Sequence, residues 1–111
     1  MNWKLQASLL SAALVFAAPV ASAADAAAVW GKSCASCHGK DGKGDTKMGK
    51  KAGARDYTDA TVQKSFTDAE ALKAIKEGVT KDGKEKMKGA GDKVSDDEAK
   101  ALVAYIRAFK K

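Results

Sequence analysis

The chain contains only two cysteines, Cys34 and Cys37, three residues apart, and that spacing limits how it can hold itself together. A disulfide between them would close a loop too small to restrain the unfolded chain, because cross-link stabilisation grows with loop length. Yet the chain needs some such aid. Residues 1–23 read as a secretory signal peptide: Lys4 supplies a short positive start, residues 7–20 are apolar apart from Ser8, Ser11 and Pro19, and Ala21-Ser22-Ala23 is a small-x-small cleavage pattern. A membrane-spanning helix needs ~20 predominantly apolar residues; this stretch is shorter, and no cysteine at the cut offers a lipid anchor. The remaining domain, residues 24–111, is 88 of the 111 residues and carries one positive charge fewer than the +6 of the whole chain. A domain of that size buries only ~60–65% of its unfolded surface and commonly leans on a metal, cofactor or cross-link. With aromatic residues at 6%, side chains alone fill little of a core.

Cys34-Ala35-Ser36-Cys37-His38 is a C-x-x-C-H sequence, the attachment pattern of c-type haem. On a helix, residues three apart share a face with Cβ atoms ~5–6 Å apart, so two thiols can add to neighbouring vinyl groups on one haem edge. His38, four residues after Cys34, lies one turn on and can reach the iron. Zinc would need four ligands, and no further cysteine or histidine exists. A thioredoxin-like pair belongs in a βαβ pattern, and no strand-rich stretch surrounds these cysteines. The expected cofactor is therefore one haem c, covalent through Cys34 and Cys37, with His38 as proximal iron ligand.

With histidine exhausted, a methionine is expected to complete the iron's coordination. Met48 lies ten residues after His38 in a loop rich in glycine and lysine, with little length to cross to the other haem face. Met87 is 49 residues downstream, followed by glycines that let the backbone approach and turn. Met87 is the expected sixth ligand, with Met48 or an open position as alternatives. A soft, neutral thioether raises the reduction potential by favouring ferrous iron.

Helical spacing of Ala26, Val29, Trp30 and Ala35 predicts a first helix running into the haem motif. Residues 39–53, with five glycines and five lysines, read as a long loop; they fit no phosphate-binding glycine motif. Residues 58–66 suggest a short helix. Thr67-Asp68-Ala69-Glu70 and Ser95-Asp96-Asp97-Glu98 are capping boxes. The first opens a helix striped by Ala71, Leu72, Ile75 and Val79 and stopped near Gly78. The second opens a final helix with Leu102, Val103, Ile106 and Phe109 on one face, and with Lys110 and Lys111 suiting its macrodipole. No period-two alternation is sustained, so the fold class expected is all-α without a sheet.

On these residues the chain resembles the class I cytochromes c, particularly small bacterial monohaem members, over nearly all of residues 24–111. Cys34, Cys37 and His38 match the family's motif. Trp30 stands where the family has an aromatic on its first helix, and Leu102-Val103-Ala104-Tyr105-Ile106 matches the last helix, whose aromatic crosses the first. Met87, eight residues before Ser95, stands where the distal methionine is commonly found. One departure is Lys88, where the family often has proline, which would loosen the Met87 loop. The segment Ala54-Arg55-Asp56-Tyr57-Thr58 resembles the stretch lining the propionate side. The resemblance implies a cytochrome c-like fold of three to four helices around one covalent haem, and a periplasmic, monomeric electron carrier rather than an enzyme. A haem sensor or peroxidase-like protein with a displaceable sixth ligand is the alternative, and a structural subunit of a larger reductase or oxidase is a third possibility. Lys40, Lys43, Lys47, Lys50 and Lys51, with Lys81, Lys84, Lys86 and Lys88 around Met87, suggest a docking face for acidic redox partners, although Asp41, Asp45, Asp82 and Glu85 are interspersed. Neither nucleic acid nor stable membrane insertion is expected.

Overall fold

A computed structural model describes residues 23–111; the expected signal peptide and its cleavage site fall almost wholly outside them. Helix α1 (Ala23–Val29) continues through a π-helical segment, Trp30–Cys34, into α2 (Ala35–His38). A π insertion is frequent at functional sites, and here it falls on the approach to the first cysteine. Gly39, at φ 79°, ends the run.

The long glycine- and lysine-rich loop contains a helix that its composition concealed. Helix α3 (Lys47–Ala52) is started by Thr46, whose hydroxyl accepts the Gly49 N–H, and stopped by Gly53 in the left-handed region. Thr46 Oγ1 also donates toward the carbonyls of Ser36 and Cys37, so one threonine both caps α3 and ties it to α2. Gly49 allows that contact: a Cβ there would collide with the Cys37 carbonyl.

Helix α4 (Ala60–Lys64) is capped by Asp59. Both capping boxes form as the sequence predicts, on α5 (Asp68–Glu77) and α6 (Asp96–Arg107). Helix α6 ends at Arg107, so Phe109, Lys110 and Lys111 follow it rather than complete it. Phe109 still packs on the core.

The all-α expectation needs correction. After α5, β1 (Gly78–Lys81) and β2 (Lys84–Lys88) pair as an antiparallel hairpin. Asp82 and Gly83 turn it with φ 54° and 74°, the two positive angles that a type I′ turn requires. Val79 therefore leaves the α5 stripe and stands in β1, 39% exposed. The fold is mostly helical with one small sheet. Among the described residues no helix is long and apolar enough to cross a membrane.

The core lies where α1 crosses α6: Ala26 and Trp30 from the first helical run meet Ala99, Leu102, Val103 and Ile106, with Ile75 and Val94 closing one side. Trp30 packs against Tyr105 and Phe109 at ring distances of 5.6 and 5.1 Å. Burying each of the larger aliphatic side chains there, Ile75, Val94, Leu102, Val103 and Ile106, contributes roughly 1.5–3 kcal/mol. Gln63, a buried polar side chain, donates to the carbonyls of Tyr57 and Ile106. Arg107 fastens the same corner through Gln63, Asp68 and the Phe66 carbonyl.

Candidate functional site

Two adjoining lobes, of about 360 and 280 Å³, form one cleft between the helices and the hairpin. Cys34, His38, Tyr57, Val79, Met87 and Leu102 line both, which is why they count as one space. Cys37 lines the second lobe. The combined space falls within the ~300–1,000 Å³ typical of cofactor sites. The four residues singled out by sequence thus border a common cleft, although Met87 comes from β2 and the others from the α1–α2 run. Met48 borders neither lobe and is 59% exposed on α3.

Each side chain is prepared by its surroundings. Both cysteines are free and half-buried, and burial pushes the Cys34 thiol above its ordinary value. Burial pushes His38 below its ordinary 6.5, so the imidazole stays neutral with a lone pair to give. Its Nδ1 is buried without a hydrogen-bond partner, an expensive condition for a polar atom. Trp30 and Tyr57 flank that ring at 5.4 and 5.3 Å. Trp30 is fixed in turn by a 2.9 Å hydrogen bond to the Gly39 carbonyl.

Met87 is half-buried and pairs across the hairpin with Val79. The ladder slips by one residue between Val79 and Thr80, so that Lys86 is the extra residue of a bulge directly before Met87. Bulges re-aim neighbouring side chains, and this one lies where a ligand must be pointed. At the hairpin's base, Gly89 fits only without a side chain, since a Cβ would meet the Lys76 and Glu77 backbone within 3 Å.

Ile75, Leu102 and Ile106 give the cleft an apolar wall. Its first lobe has a polar mouth, where Arg55 donates to Ser65 Oγ at 2.9 Å and lies over the Phe66 ring at 5.5 Å. Glu70 stands at the same mouth. Reading by sequence missed Ser65, Phe66 and Glu70 here, and missed the contact of Tyr57 with His38. No local pattern announces a ring contact across 19 residues. Among the described residues no group of three or more histidine, cysteine or acidic side chains could hold a bare metal ion. Two free thiols, a neutral imidazole and a thioether around an apolar cleft suit instead a flat, apolar group carrying a metal at its centre.

Residues 21–106 match the family model described as cytochrome c oxidase, cbb3-type, subunit III. Among solved structures the chain is similar to the Kustc0563 c-type cytochrome, at 35% identity and a TM-score of 0.70, over 78% of this chain and 98% of that one. A tyrosine-to-phenylalanine variant of that cytochrome aligns at 35% identity and a TM-score of 0.68, over 78% and 99%. No curated protein matches.

Proposed function

The chain belongs to the cytochrome c family, in the group described as cbb3-type oxidase subunit III, and from that membership we propose a monohaem carrier with its haem c attached at Cys34 and Cys37 and its iron held by His38 and Met87. Membership makes it a haem protein of electron transfer and not an enzyme. The finer reading rests on one observation above all: Cys34, His38 and Met87, separated by up to 53 positions, border the same cleft.

The bound group supplies an iron that interchanges between ferric and ferrous states by gaining or losing one electron. The chain's own residues supply the rest. Cys34, at the end of the π-helical segment, and Cys37, on α2, would hold the group through thioethers. His38 donates from a neutral ring, because burial disfavours its protonated form. Met87 would offer a neutral sulfur from the hairpin, so that neither residue holding the iron would carry a charge that biases the site toward the ferric state. Ile75, Leu102 and Ile106 exclude water, which limits the solvent rearrangement accompanying a change of charge. Arg55, at the polar mouth, suits a haem propionate.

Partners are assigned by charge. Lys86 and Lys88 border the second lobe, and Lys50 and Lys51 stand on α3, whose last residue, Ala52, borders it too. A basic rim of this kind steers acidic partners to the opening and makes their association sensitive to salt. With the leader of residues 1–23 removed on export, such a carrier works in the periplasm as a monomer between donor and acceptor proteins.

The deciding experiment compares holoprotein with its Met87→Ala variant, both made in cells competent for cytochrome maturation. The expected variant keeps covalent haem, seen by mass, and loses the low-spin thioether spectrum. An axial spectrum unchanged by the substitution would move the sixth ligand elsewhere.

A further inference from the structure

An iron-ligating histidine almost always donates its second ring N–H to a fixed acceptor, and that bond sets the rotation of the ring. His38 departs from the rule, since its buried Nδ1 has no hydrogen-bond partner. Something else must hold the angle of the imidazole if the ligand is to present one orbital direction to the metal.

We propose that Tyr57 is a positioning residue for His38, fixing the rotation of the imidazole by ring stacking where no hydrogen bond does. The Tyr57 ring lies 5.3 Å from the imidazole with only 26° between their planes, a stacked arrangement. Trp30 approaches the same ring at 5.4 Å and 36°, so aromatic faces restrict the imidazole from two neighbours. A positioning group must itself be immobile, and Tyr57 is anchored along its backbone and ring. Its N–H donates to the Gly42 carbonyl at 2.8 Å. Its carbonyl accepts from Gln63 Nε2 at 2.7 Å, and the same Gln63 amide donates to Ile106 at the end of α6. Its ring edge meets Phe66 at 5.9 Å and 73°. The angle of His38 is thereby referred to the α6 corner through one tyrosine. The stacking needs the ring and not the hydroxyl, so phenylalanine replaces tyrosine without loss.

This rests on His38 being an axial ligand, and the test separates the two. Ferric holoproteins of the unaltered chain, Tyr57→Phe and Tyr57→Leu are compared by paramagnetic NMR after histidine labelling, which reports on His38 alone because the chain has one histidine. In the unaltered protein and Tyr57→Phe, the His38 signal is strongly shifted by the iron and the four haem methyl resonances keep one wide spread, the mark of a fixed imidazole plane. In Tyr57→Leu the His38 signal stays shifted while the methyl spread collapses toward a common value. Should the leucine variant yield no holoprotein, Tyr57→Met, of similar bulk without a ring, is read the same way. A leucine or methionine variant with the original spread overturns the proposal alone, as does a phenylalanine variant that behaves like leucine. A His38 signal unmoved by iron in the unaltered protein overturns the ligation itself, and the proposal with it.

Discussion

Asp96, in the first turn of α6, forms an ion pair with Lys76 on α5, and that bond holds its carboxyl below the ordinary 3.8. A depressed folded value means the unfolded state binds the proton more readily, so the contribution to stability is present above about pH 3.8 and is lost as pH falls through the lower folded value. The Asp96 side chain is 72% exposed, which keeps the effect small. Asp96→Asn should therefore lower the melting temperature of the holoprotein slightly at neutral pH, with the two curves converging in acid below pH 3.8. Curves that stay parallel through the acid range would show that the pair contributes nothing. At this scale the chain was legible where chemistry is local. Cys34, Cys37 and His38 stand together in five consecutive residues, and the exhaustion of histidine pointed to a methionine, Met87 being preferred to Met48 for its distance from His38; all four border the cleft. Tyr57 and Asp96 could not be read, because each acts on a residue 19 or 20 positions away that only the fold brings near.

The hairpin is where sequence and structure part, and the reason lies in its residues. Gly78–Lys81 and Lys84–Lys88 bury neither face fully, so the apolar alternation that marks a half-buried strand is absent. The Asp82-Gly83 pair was the remaining signal, being a favoured type I′ turn, and lysine-rich composition around it read as loop. Capping boxes fared better because they are local: Thr67 with Glu70 and Ser95 with Glu98 bond as their spacing predicts. A two-stranded hairpin is marginally stable by itself, which makes the element carrying Met87 the easiest part of the site to open. Gly83 has φ 74° and open space where a Cβ would go, so Gly83→Ala costs about 1 kcal/mol of backbone strain with no collision. If hairpin opening exposes the iron, carbon monoxide should bind the reduced variant about five-fold faster, the factor that ~1 kcal/mol gives. Gly53, at φ 76° and equally unobstructed, caps α3 and supplies the control. Gly53→Ala should carry similar strain and leave the carbon monoxide rate unchanged. Equal acceleration in both variants would mean that general loosening, and not the hairpin, admits the gas.

Charge organises the molecule as a whole, and it explains a pairing that makes no sense within the hairpin. Lys81 and Lys84 stand directly opposite each other in the ladder, an arrangement that destabilises a sheet. Two strand positions separate Lys81 from Val79, so alternation puts this lysine pair on the same face of the hairpin as Val79 and Met87, at its exposed tip beyond the residues that line the cleft. The local cost fits a surface that must attract negative charge to the opening. Small inorganic oxidants of opposite sign test this without any identified partner. Replacing both lysines by glutamate lowers the net charge by four, so oxidation of the reduced holoprotein by an anionic complex should slow while oxidation by a cationic one quickens. Because the screening length shrinks from about 10 Å at 0.1 M salt to about 3 Å at 1 M, both differences should fade at high salt. Two oxidants slowed alike, or a difference indifferent to salt, would mean that the substitutions disturbed the iron site itself, and the lysines would then be no more than a solvated tip. A change of opposite sign for the two probes instead shows that the oxidants exchange electrons within the field of those two residues, a field that at 0.1 M salt reaches about 10 Å.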